Sequence, residues 1–125
     1  MLALLAATSM GAVASAATVN SKNIGSPGAV ITCWAVMGST EIECTAPYLP
    51  DIGELDTYLA VRPRGRARMS ERGDFPGFAA PRRTLHYGDT WQRPGIRCTM
   101  HTTGLTCRNR DGHGFRIQKG HVRRF

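Results

Sequence analysis

Lysine is nearly missing from this chain of 125 residues, which has two against fourteen arginines. Long apolar runs are also scarce. Beyond the first sixteen residues nothing approaches the roughly 18 consecutive apolar residues that a transmembrane helix needs. No Gly-x-Ser-x-Gly elbow, phosphate loop or His-Glu-x-x-His occurs, so the sequence offers no signature of an α/β-hydrolase, a P-loop enzyme or a zincin. The four cysteines form no Cys-x-x-Cys knuckle, and neither a metal nor a cofactor is expected. The length suits one domain and is too short for a two-domain enzyme. With 42% hydrophobic and 20% charged residues the composition is that of a folded chain.

The first sixteen residues, MLALLAATSMGAVASA, carry no charged side chain. An apolar stretch closing on Ala14-Ser15-Ala16 reads as the h-region and Ala-x-Ala cleavage site of a signal peptide. Residues 1–16 are therefore expected to be a leader, with the mature chain starting at Ala17 and exported to the extracellular space or the cell envelope. An oxidising compartment suits four cysteines in a small domain, because a core of this size gains from covalent staples.

Charge is unevenly distributed. Residues 17–60 hold Lys22 against Glu41, Glu43, Asp51, Glu54 and Asp56, a net −4. Residues 61–125 hold fourteen arginines and Lys119 against Glu71, Asp74, Asp89 and Asp111, a net +11. Such a half attracts anions, and Arg62, Arg64, Arg66 and Arg68 form its densest run, with forked donors suited to phosphate or carboxylate. An anionic cell-envelope polymer is the expected partner. Sequence-specific nucleic-acid binding is not expected, since no aromatic residues interleave the arginines as a stacking platform requires. A solvated basic surface also needs no partner at all.

One pattern occurs four times. Ile31-Thr-Cys33, Ile42-Glu-Cys44, Ile96-Arg-Cys98 and Leu105-Thr-Cys107 each place an aliphatic residue and a cysteine on one face of a strand. Thr32, Glu43, Arg97 and Thr106 fall on the other face. The turn formers Met37-Gly-Ser-Thr40 and His101-Thr-Thr-Gly104 make each pair a hairpin. If Cys33 faces Cys44, Ala35 faces Ile42; if Cys98 faces Cys107, Met100 faces Leu105. Both registers keep apolar residues on one side, so Cys33–Cys44 and Cys98–Cys107 are the expected bridges.

Downstream, Phe115-Arg-Ile-Gln118 reads as a further strand and His121–Phe125 as an edge strand, while Thr84–Tyr87 precedes them as another. Trp34, Tyr87, Trp91, Phe115 and Phe125 are the large core candidates. Asp51–Ala60, with Ile52, Leu55 and Leu59 at helical spacing and Glu54 three residues after Asp51, predicts one short helix. Residues 62–83, rich in Arg, Gly and Pro, predict a long exposed loop, with Phe75, Phe78 and Leu85 offering points at which part of it folds back on the core. The expected fold is all-β: a small disulfide-stapled antiparallel sheet or sandwich of about five to seven strands, in a single domain spanning 17–125.

The blocks Gly95-Ile-Arg-Cys98, Gly104-Leu-Thr-Cys107 and Gly112-His-Gly-Phe115, with Leu85-His-Tyr-Gly88 before them, resemble a family of small secreted actinobacterial proteins of unknown function. Ser26-Pro-Gly28 followed by Cys33 and Cys44 is similar to that family's opening hairpin. The resemblance implies secretion and disulfides, and supplies no activity or site residues.

Two functional classes follow. The first is a non-enzymatic binding or structural module, using the basic C-terminal half. The alternative is a small hydrolase of ribonuclease type, with His113 and either Asp111 or Glu54 as acid and base and arginine stabilising transition-state charge. Asn109-Arg-Asp-Gly112 is half of a calcium loop without its closing acid, and reads as a turn.

Overall fold

The computed structural model describes residues 16–75 and 82–125. In chain order its strands are β1 (Thr18–Val19), β2 (Asn23–Gly25), β3 (Thr32–Ala35), β4 (Ile42–Thr45), β5 (Asp56–Val61) and β6 (Arg68–Arg72). They continue as β7 (Arg83–Thr84), β8 (Thr90–Arg93), β9 (Ile96–His101), β10 (Gly104–Asn109), β11 (Gly114–Gln118) and β12 (His121–Arg124). Residues 1–15 of the expected leader lie outside the described residues.

These strands form two six-stranded sheets, β1-β8-β9-β10-β11-β12 (sheet A) and β7-β2-β3-β4-β5-β6 (sheet B). Each is an antiparallel five-strand meander with a short parallel strand on its first edge, and those edge strands are exchanged. β1 joins β8 in sheet A, and β7 joins β2 in sheet B. One hydrophobic cluster draws Ile24, Cys33, Cys44 and Leu59 from sheet B and Trp91, Cys98, Cys107 and Phe115 from sheet A, so the sheets pack as a sandwich.

Period-two alternation builds that core. Across sheet A, Val19, Trp91, Cys98, Cys107 and Phe115 stand opposite one another in a continuous inward row. Across sheet B the corresponding row is Ile24, Cys33, Cys44, Leu59 and Met69. Cys33 bridges Cys44 and Cys98 bridges Cys107, each in the middle of its sheet. Ala35 faces Ile42 and Met100 faces Leu105, in the register that the alternation implies.

Four expectations need correction. Asp51–Ala60 is not a helix: β5 runs from Asp56, and Ile52 and Leu55 are exposed. Tyr58-Leu-Ala-Val61 is a strand buried on both faces, whose unbroken apolar run carries no two-residue period. The described part of 62–83 is not one exposed loop, because β6 pairs with β5 from Arg68 to Arg72 and Ala67 is buried; Phe75 and Leu85 do fold back on the core, and 76–81, with Phe78, lie outside the described residues. Tyr87 is exposed and Phe125 half-buried, whereas Trp34, Trp91 and Phe115 are core residues. Among the described residues there are twelve strands, more than the five to seven expected: the very short β1, β2 and β7 announce no alternation, and β5 and β6 fall where a helix and a loop are expected. A 3-10 turn at Pro27–Ala29 is the only helical segment among the described residues, and none is long and apolar enough to cross a membrane.

Candidate functional site

Three groups of arginine differ sharply in their surroundings. On the outer face of sheet B, Trp34, Tyr58, Ala60 and Phe75 form a second buried cluster. Glu43 lies within it, almost wholly buried. Trp34 Nε1 donates to its Oε1 at 2.9 Å and Arg72 Nη2 to its Oε2 at 3.0 Å. Burial pushes the Glu43 carboxyl above its ordinary value, against the opposing pull of Arg72 and Trp34. Arg72 also stands 4.8 Å from the Tyr58 ring centroid. Burial raises the Tyr58 phenol, but hydrogen bonds with Arg72, Ser70 and Arg68 outweigh it and hold the group below its ordinary value. Beside this cluster Arg68 donates to both carboxylate oxygens of Glu41, and Arg62 approaches the same carboxylate at 3.8 Å.

The second place is the turn that follows β10. Asn109 Oδ1 accepts from the backbone of Asp111 and His113, while its Nδ2 donates to the carbonyls of Arg62 and Gly65. Asp111 accepts from Gly65 N at 2.7 Å and from Arg64 Nη1 at 2.9 Å. The Gly65 hydrogen bond holds the Asp111 carboxyl below the ordinary carboxylate range, with Arg64 and His113 adding to it. This constellation staples the β5–β6 turn to the β10–β11 turn. His113 Nδ1 lies 3.3 Å from the Phe125 carbonyl. Glu54 precedes β5 at its far end, and β5 alone spans six residues, about 17 Å or more at strand rise. The structure thus brings Asp111 and His113 into one turn, with the Asp111 carboxylate already occupied, and leaves Glu54 apart from both.

Of the run Arg62, Arg64, Arg66 and Arg68, three therefore answer carboxylates of the protein itself. Arg66 alone of the four has none among the described residues.

The third place is the outer face of sheet A. Gln92, Arg97, Arg108 and Gly114 form one cross-strand row; Thr90, Thr99, Thr106, Arg116 and Arg123 form the next. Thr18 beside Thr90, with His101, Gly104, Gln118 and His121, completes the face. Arg97 directly opposes Arg108, and Arg116 directly opposes Arg123. Like charges so placed repel, and no carboxylate stands at any of these positions to relieve them. Their contacts are neutral. Arg97 Nε donates to Gln92 at 3.2 Å, Arg116 Nη2 to Thr103 at 3.3 Å, and Arg116 Nε is buried without a partner. A Cβ at Gly114 would collide with the Cys107 carbonyl, so the position beside Arg108 stays bare. Arg108 lies 4.7 Å from the Phe125 ring centroid, and Arg123 lies 5.7 Å from it.

Around the β12 edge the face continues into a cleft of about 450 Å³, lined by Arg66, Arg123 and Arg124 with Met69, Val122 and Phe125. The unpaired Arg66 thus joins the arginines of sheet A. Arg97 and Thr106 were legible as outward-facing beside their cysteines. The parity that buries Cys107, Phe115 and Ile117 turns Arg108 and Arg116 outward in the same way.

No protein-family model, curated protein or solved structure matches the chain.

Proposed function

We propose that the protein is an exported, non-enzymatic module that grips an anionic cell-envelope polymer on the outer face of sheet A. The observation that carries this reading is the pairing of arginine against arginine on a face with no carboxylate. A fold gains nothing from directly opposed like charges, whereas a polyanion laid across the strands relieves both pairs at once. Adjacent strands are spaced about 4.8 Å apart, so Arg97, Arg108, Arg116 and Arg123 offer a grid of forked donors to repeating phosphate or carboxylate groups. Phe125, packed between Arg108 and Arg123, orients two of them. Export is supported by the leader-like residues 1–16 and by the two buried disulfides.

Incubating the chain from Ala17 onward with polyphosphate and with RNA, at low and at high salt, tests this. Saturable retention on polyphosphate that weakens with salt, without RNA turnover, is the expected result. RNA cleavage that disappears in His113→Ala would replace the module with a nuclease.

A further inference from the structure

Asp89 is a buried carboxylate, 5% exposed, and it makes no ion pair with any described residue. Its two oxygens accept backbone N–H groups instead, Oδ2 from His86 at 3.0 Å and Oδ1 from Ala17 at 2.9 Å. A buried negative charge without a cation is costly, and proteins ordinarily supply one. Here the donor at Oδ1 is the nitrogen of the residue that follows Ala14-Ser15-Ala16, the small-residue pattern of a leader cleavage site. We infer that cleavage between Ala16 and Ala17 completes the fold by turning this nitrogen into an ammonium that ion-pairs with Asp89.

The chemistry is hydrolysis by a signal peptidase. Water attacks the Ala16 carbonyl, the Ala16–Ala17 amide bond breaks, Ala16 leaves as a carboxylate and Ala17 takes up protons to become –NH₃⁺. One N–H donor is replaced by three charged ones at the same place, beside a carboxylate otherwise held by neutral groups alone. The effect reaches the sheet because Ala17 immediately precedes β1. Its carbonyl accepts from Thr90 N at 2.9 Å, Val19 is fully buried opposite Trp91, and β1 supplies the parallel edge of sheet A. Asp89 also stands at the turn into β8, where its backbone carbonyl accepts from Met100 N. Anchoring Ala17 thus fastens the N-terminal strand to the hairpins that carry the basic face.

The inference rests on the reading of residues 1–16 as a removable leader, so its test separates the two claims. N-terminal sequencing of the naturally exported protein locates the cut. Independently, a chain beginning at Ala17 with a free amine is released from a fusion and compared with the same chain acetylated at Ala17. The free amine is expected to raise Tm by several degrees and to slow hydrogen exchange at Thr90. In Asp89→Asn the free and acetylated forms should melt together. Equal melting and equal Thr90 exchange of the two forms with Asp89 intact would overturn the ion pair, even if Asp89→Asn failed to fold. An exported chain that starts elsewhere than Ala17 would overturn the cleavage.

Discussion

Superposed by register, the two sheets follow one plan with opposite outer faces. The bridged pair Cys33–Cys44 corresponds to Cys98–Cys107, and outward from them Trp34 corresponds to Thr99, Glu43 to Thr106, Ala60 to Arg116 and Arg68 to Arg123. Thr32 and Thr45 correspond to Arg97 and Arg108. Sheet B covers this face with Phe75 and matches its arginines to Glu41 and Glu43. Sheet A leaves it open. Arg123 stands where Arg68 does, but the place of Glu41 is taken by Gly104, which carries no charge to answer it. The same scaffold thus covers and neutralises its outer surface in one sheet and leaves it open and uncompensated in the other.

The largest effect expected from breaking this contrast is Glu43→Ala. It leaves Arg72 and the Trp34 N–H without their partner and should cost about 3 kcal/mol in urea unfolding, towards the low end for a broken buried pair because Arg72 can rehydrate. The corresponding Thr106→Ala should change stability by less than about 0.5 kcal/mol. Replacing either cystine by two alanines should cost about 2–3 kcal/mol, and nearly the same in both sheets because the loops close over 11 and 9 residues.

The faces should also differ in pH response. Glu43 binds its proton more tightly folded than unfolded, since burial raises it above the ordinary 4.5. Its contribution therefore favours the fold at low pH and declines as pH rises from 4.5 through the folded value. Asp111, held below 3.8, acts in the opposite sense, stabilising above that value and losing its effect as pH falls through the folded one. Stability profiles of Glu43→Gln and Asp111→Asn should lose these opposite slopes. The smallest effect belongs to Arg62→Ala, an exposed pair 3.8 Å long, at about 0.3 kcal/mol or less.

How much of this was readable depended on the period of each segment. Strands alternating around a cysteine declare their register, their disulfide partner and their outward residues, so the positions of Arg97 and Thr106 follow from the sequence alone. β5 could not be read that way because both faces are buried, by the core on one side and by Phe75 with Trp34 on the other. β6 was hidden by composition: Arg-Met-Ser-Glu-Arg has one apolar residue, and its place is fixed by pairing with β5 and by distant carboxylates. The partners of the arginine run are hidden for a related reason. Local density says nothing of partners, and Arg64 meets Asp111 across 47 positions of sequence. The exchange of β1 and β7 between sheets rests on two-residue pairings that no local pattern announces.

The central claim is that location, and not total charge, makes sheet A the binding surface. Arg97→Gln/Arg108→Gln and Arg62→Gln/Arg64→Gln each lower the net charge from +7 to +5. Their affinities for polyphosphate, measured side by side at one ionic strength, decide the matter. The account predicts at least a tenfold loss for the sheet A pair and less than threefold for the other. Equal losses in the two variants would contradict it.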